Sequence, residues 1–274
     1  MLAVISRWFL FFAVVAFSTI SAAEKKYGPG VSDTEIKIGQ TMAYSGPASA
    51  LGTLGKAEMA YFKKVNDEGG VNGRRIKFIS LDDGYSPPKT VEQTRKLVEL
   101  EEVLLLFSSL GTAHNSSVHR YLNAKQVPQL FIASSGLKWN SPGEFRWTMA
   151  ATPSPRVDMP LYAKYLLRSK PAAKIGVLYQ NDDFGKDNLK ALKEALGDKA
   201  PTMILSETTY EATDPTVDSQ IVTLKGANVD VVFILASPKA AAQAIRGWRA
   251  NGAESDGLTP SIGAGLRGGV VLVV

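Results

Sequence analysis

The feature that most constrains this chain is a repeated alternation of short apolar runs with amphipathic stretches, at the spacing of a parallel sheet covered by helices. Ile36 and Ile38 alternate with charged residues, as a strand entering a core does. A helix follows over 51–66, with Leu54, Tyr61, Phe62 and Val65 on its apolar side and Gly69-Gly70 at its end. A second strand spans 75–81, carrying Ile76 and Phe78 on one face. Pro87-Pro88 opens the next helix, where a missing N–H costs nothing. It runs to about Leu100 and turns Val91, Thr94, Leu97 and Val98 inward. The unbroken apolar run 103–107 fits a strand buried on both faces. A helix over 112–124 and a strand over 128–132 complete the first series.

Residues 142–155 are interrupted by prolines and glycine around Phe145-Arg146-Trp147-Thr148-Met149, and they suit a crossing segment. The rhythm then restarts. Strands are expected over 174–179, 202–206 and 229–235, and helices over 187–196, 217–225 and 240–251. Two series either side of a crossing imply two α/β lobes, each a doubly wound parallel sheet, divided as 35–148 and 149–254.

The N-terminal residues 1–23 read as a secretory signal. Arg7 supplies the charge, Trp8 to Ile20 an apolar core of 13 residues, and Ser21 and Ala23 the small residues before a cut. A membrane-crossing helix needs roughly 20 apolar residues, so an anchor is the weaker reading. A linker over 24–34 precedes the first strand. The chain has no cysteine, so neither disulfides nor a lipid-bearing cysteine is available, and a freely diffusing periplasmic monomer is expected. The 31 Lys and Arg against 26 Asp and Glu are scattered, and nucleic-acid binding needs them clustered on one face.

In parallel sheets a ligand sits beyond the carboxyl ends of the strands. That rule selects 44–47, 82–85, 108–112 and 133–136 in the first lobe, and 181–185, 208–210 and 236–238 in the second. Ser108-Ser109-Leu110-Gly111-Thr112 is the most informative, because it leads from a buried strand into a helix whose free N–H groups attract an anion. Capping by Ser109 and Thr112 is the plainer alternative. Tyr44, Tyr85 and Phe184 suggest an apolar or aromatic ligand body, with a packed core ring as the alternative for Phe184. Trp139 is a marginal candidate near the lobe junction, where buried packing is the commoner role of an indole.

Nothing points to catalysis, a cofactor or a metal. His114 and His119 are five apart, whereas neighbours on a helix face are three or four apart. Asp82 and Asp83 suit a loop-fixing role, accepting backbone hydrogen bonds. No nucleophile elbow or phosphate loop is present.

The residues Ile36-Lys37-Ile38-Gly39-Gln40-Thr41-Met42-Ala43-Tyr44-Ser45-Gly46-Pro47 resemble the opening strand and first binding loop of the periplasmic leucine/isoleucine/valine-binding proteins. Asp82-Asp83-Gly84-Tyr85, the 108–112 stretch, Tyr121-Leu122-Asn123 with Val127 to Phe131, and Tyr179-Gln180-Asn181-Asp182-Asp183-Phe184-Gly185 are similar to the same family. The resemblance covers roughly 35–251. It implies a type I periplasmic-binding-protein-like fold, with two lobes closing over a small-molecule solute that is handed to the permease subunits of an ABC transporter. It also implies that Ser109, the backbone of Ala133, and Ser135 hold the ligand carboxylate, with Ser108, Thr112 and Ser134 beside them. Ala236 stands where branched-chain receptors carry bulkier residues, which weakens the case for leucine or valine. The alternative within the fold is a ligand-sensing receptor for an amide or amino acid.

The stretch 255–274 departs from the pattern, with Gly263, Gly265, Gly268 and Gly269 close together. The preferred reading is a coding frame lost near Ser255, leaving the family's returning segments absent. The alternative is a terminal strand over 270–274.

Overall fold

The structure is a computed structural model that describes residues 27–249, 256–258 and 270–273. The expected signal sequence lies outside the described residues. Two five-stranded parallel sheets form the molecule.

The first sheet contains β1 (Glu35–Met42), β2 (Arg75–Asp82), β3 (Leu105–Phe107), β4 (Gln129–Ile132) and β5 (Thr148–Ala150), in the order β2-β1-β3-β4-β5. Its helices are α1 (Thr53–Asp67), α2 (Pro87–Arg95), which continues into a π turn over Lys96–Leu100, and α3 (Thr112–Ala124). β5 arises inside the expected crossing segment and pairs with β4. The first lobe therefore reaches Ala150, two residues past the boundary expected from the sequence. A three-residue strand flanked by loop residues carries too little alternation to show in the sequence.

The second sheet contains β6 (Ile175–Gln180), β7 (Ile204–Tyr210), β8 (Val231–Leu235), β9 (Asp256–Leu258) and β10 (Val270–Val273), in the order β7-β6-β8-β10-β9. Its helices are α4 (Pro155–Ser169), α5 (Asp183–Leu196), α6 (Ala200–Met203), α7 (Asp218–Gly226) and α8 (Pro238–Arg249). Within the tail the structure describes a strand, β10, which pairs in parallel with both β8 and β9.

All five residues of β8 are buried, because helices cover both faces. Val231, Phe233 and Leu235 pack with Met159, Leu166 and Leu192 from α4 and α5. Val232 and Ile234 point the other way, onto Ile221 and Leu224 of α7 and Ala244 and Trp248 of α8. Strand alternation thus sorts the second lobe into two cores. The first lobe has a core built on Leu97, Leu106, Val118 and Leu122, and a smaller one on Met42, Ala48 and Leu110 near the ends of its strands.

Two features differ from the pattern read along the chain. Leu54 and Tyr61 lie on the exposed side of α1, not in the core. The helix meets the sheet through Phe62, whose ring lies 4.9 Å from Phe78 and 5.4 Å from Phe107. It also meets it through Gly55, where a Cβ would collide with the Tyr44 ring. A glycine contact contributes nothing to an apolar periodicity, so the buried face was misplaced. The helix α4 was missed outright, although Ser154 accepts from the N–H of Arg156 and Pro155 follows as the first helical residue.

Candidate functional site

In each sheet the chain reverses direction between two central strands, β1 and β3 in the first lobe and β6 and β8 in the second. The loops leaving such a pair diverge, and a crevice opens at their carboxyl ends. Residues 43–47 and 108–111 leave the first pair; Asn181, Asp182, Ala236 and Ser237 leave the second.

Across this gap, Nε2 of Gln180, the last residue of β6, donates to Oη of Tyr85 at 3.2 Å. Gln180 is fully engaged: Nε2 also donates to Asp182 at 2.6 Å, and Oε1 accepts from Tyr210 at 3.0 Å. Tyr210 in turn accepts from the N–H of Ser237. Tyr85 holds a left-handed backbone, φ 58°, fixed by its N–H on Asp83. Burial pushes its phenol well above the ordinary range, so the hydroxyl keeps its proton. Since Oη accepts from Gln180, that proton is free to be given elsewhere.

Ser109 and the 133–135 loop are adjacent. The N–H of Ala133 donates to the carbonyl of Ser109 at 3.1 Å, and the N–H of Gly111 donates to the carbonyl of Ala133 at 3.2 Å. This corrects the expected part of Ala133, whose backbone groups clasp the two loops together and are not open to a ligand. The hydroxyl of Ser109 accepts from the N–H of Thr41 at 3.2 Å and retains a proton to donate. Ser108 has φ 54° and offers its carbonyl to Gln40, so it shapes the loop. Its hydroxyl meets Glu58, whose carboxyl is pushed up by burial against the hydrogen bonds from Ser108 and Gln40.

Ser134 is a hub. It accepts from Trp139 Nε1 at 2.9 Å and from the N–H of Gly136 at 3.3 Å, and it lies 2.7 Å from the hydroxyl of Thr112. Neither nitrogen can accept, so both lone pairs of Ser134 are used and its proton goes to Thr112. The Thr112 proton is therefore uncommitted. It sits at the start of α3, where the first N–H groups of the helix have no intrahelical acceptor. Three hydroxyls with a proton to give (Ser109, Thr112 and Tyr85) thus accompany the positive end of a 13-residue helix. Ser135 is partly exposed at the same loop.

Other expected residues fall elsewhere. The Tyr44 hydroxyl is 2.6 Å from Ser80, and its backbone N–H is held by Asp82, so it braces the first loop. Trp139 is 2% exposed and packs in the core, edge-on to His119. Ala236 is buried with Tyr210 and Ala240 in the second-lobe core, and the polar atoms at that strand end belong to Ser237. Phe184 is half-buried in the first turn of α5, outside both cores of its lobe. Asp82 accepts from the N–H groups of Tyr44, Ser45 and Gly84, and Asp83 from Tyr85 and Thr90, as a loop-fixing pair would.

Tyr210 lies in the 208–210 stretch the strand-end rule selected, but sequence reasoning missed Gln180, although a glutamine closing an otherwise apolar strand marks a site end. It also missed a junction beside the gap. Lys138 pairs with Asp183 at 2.8 Å, Ser116 donates to Asp183 at 2.8 Å, and the N–H of Leu137 donates to Asp187 at 2.8 Å. Burial pushes Asp183 up, but the bonds from Lys138 and Ser116 outweigh it and hold the carboxyl below its usual value. His114 and His119 have separate surroundings: His114 stacks on Tyr85, whereas His119 lies on Phe145 and faces Thr148.

Two doubly wound lobes with facing switch points and donors gathered on one side define a two-lobed fold with a crevice at its strand ends. The comparisons with known proteins agree. The periplasmic binding protein family matches this chain over residues 35–266. The "Leu/Ile/Val-binding protein homolog 7" of Brucella abortus is 24% identical over 225 residues, which is 78% of this chain and 55% of that protein. The "Fatty acid ABC transporter substrate-binding protein" from Thermomonospora curvata superposes with a TM-score of 0.74 at 25% identity, over 85% of this chain and 59% of that one. A substrate-binding periplasmic protein from Ralstonia solanacearum gives 0.75 at 25%, over 83% and 64%. The chain belongs to the periplasmic binding protein family, whose members bind solutes and do no chemistry on them. It spans between about half and two-thirds of the length of these relatives.

Proposed function

We propose that this chain captures a small carboxylate-bearing solute, an amino acid or an apolar or aromatic acid, between its two lobes. What supports this is that the Ser109, Thr112 and Tyr85 hydroxyls, on strand-end loops and the start of α3, each keep a proton to give. Hydroxyl donors beside a helix N-terminus stabilise an anion. Ser135 adds a hydroxyl at the edge of the same loop, and Phe184 a phenyl face on the opposite lobe. Leu/Ile/Val-binding and fatty-acid-binding relatives share one chemical feature in the solutes of their names, a carboxylate on an apolar body.

On this reading the protein is exported to the periplasm, works as a monomer, and delivers its solute to ABC-transporter permease subunits. Among the described residues no helix is long and apolar enough to cross a membrane. The two lobes take the roles of jaws, with residues 151–154 at the first crossing between them. A thermal-shift screen of amino acids, aromatic acids and fatty acids tests it, because a ligand that binds only the folded state raises the midpoint. At least one acid should raise it, and Ser109→Ala should weaken the rise. A screen in which no acid of any of these classes raises it would refute the proposal.

A further inference from the structure

His114 is a buried polar residue at the start of α3. It is 2% exposed, and neither Nδ1 nor Nε2 has a hydrogen-bond partner. Its ring lies 4.1 Å from that of Tyr85, tilted by 36°, one ring behind the hydrogen bond that joins the lobes. Its Nδ1 lies against Gly111, the residue that leads into α3, in the space a side chain there would fill. Gly111 itself has φ 93°, so the loop is shaped to bring this imidazole beneath the helix start. Thr41 Oγ1, on the residue that donates its N–H to Ser109, is also buried without a partner.

A phenyl ring would stack on Tyr85 equally well. What histidine adds is two polar nitrogens, and buried polar groups are nearly always paired. An unpaired one at a ligand-binding helix start gains its partner when a ligand arrives.

We propose that His114 is a specificity-determining residue, donating a ring N–H to an acceptor at the carboxylate end of the bound solute. The assignment rests on the solute-capture reading above and deepens it. Together with Thr112, Ser109 and Tyr85 it selects solutes with an acceptor at that end.

The test uses the full chain carrying 15N-labelled histidine. There are two histidines, so two sets of ring resonances, which His119→Gln assigns. Leucine, benzoate and decanoate are the probes, and their affinities are measured by calorimetry. A bound probe should move a ring nitrogen of His114 several times further than either nitrogen of His119. His114→Phe, which keeps the stack, should weaken that probe about tenfold. A probe that binds without moving His114, or that His114→Phe binds within twofold, overturns the assignment and leaves the solute reading intact. If none of the three binds the unaltered chain, the assignment of His114 falls, and the solute reading stands or falls by the wider thermal-shift screen. If His114→Phe does not fold, the resonance shift in the unaltered chain decides alone.

Discussion

Gln180 and Tyr85 stand on different lobes, 95 residues apart in sequence, and share a 3.2 Å hydrogen bond in which the phenol oxygen accepts. Because Gln180 is also held by Asp182 and Tyr210, its amide is oriented before Tyr85 arrives. The bond therefore fixes how the first lobe's loop meets the second, and it leaves the Tyr85 proton for a solute. Tyr85→Phe should cost about 1 kcal/mol of stability and weaken solute affinity about tenfold, by calorimetry. Unchanged affinity would remove Tyr85 from the solute-contacting set.

The junction at Lys138 predicts a different outcome. Its ammonium and the Asp183 carboxylate are both partly exposed, and such pairs contribute about 0–1 kcal/mol. Lys138→Met should thus lower the melting midpoint only slightly. Small-angle scattering should show the solute-free chain more open, since one of the contacts between α5 and the 137–138 turn is lost. A similar opening is expected for the unaltered chain in 1 M salt, where the Debye length falls to about 3 Å.

His119 makes stability depend on pH. Burial lowers its pKa to about 4, with the charges of Lys138 and Arg120 acting in the same direction. In the unfolded chain an imidazole titrates near 6.5. Between these values the unfolded state binds the extra proton, so this contribution is complete above about pH 6.5 and is lost as pH falls toward about 4. Urea titrations across this range should show less loss for His119→Gln than for the unaltered chain.

Gly111→Ala tests the loop geometry. A Cβ there would run into the His114 ring, and the backbone at φ 93° disfavours any L side chain. Destabilisation of about 1–3 kcal/mol is expected, with loss of solute affinity beyond that of Gly143→Ala, where a Cβ meets nothing.

How much of this was legible in the sequence follows from what each kind of contact leaves in it. α3 was read to the residue, because it is bounded by Gly111-Thr112 and by the turn before Pro128, and β8 to within two residues at its start, because both of its faces are buried. The start of α5 was placed four residues late, since Asp182 caps it through two N–H bonds inside what looked like loop. At the site, the strand-end rule found the right loops but not the direction of each donor. Nothing in the order Ala133-Ser134-Ser135 tells that Ala133 has both backbone groups occupied, or that Ser134 passes its proton to Thr112. Those facts come from Trp139, Gly136 and Gly111 meeting in space, and an isolated histidine at position 114 reads as any other until Tyr85 lies upon it.

The most direct measurement is the ratio of affinities for an acid and its primary amide, by calorimetry on the mature chain with leucine and leucinamide, benzoate and benzamide, and decanoate and decanamide. The account predicts that whichever acid binds does so at least about tenfold more tightly than its amide, since donors to an anion form the stronger bonds. An amide that binds as well as its acid would contradict a carboxylate held at the start of α3.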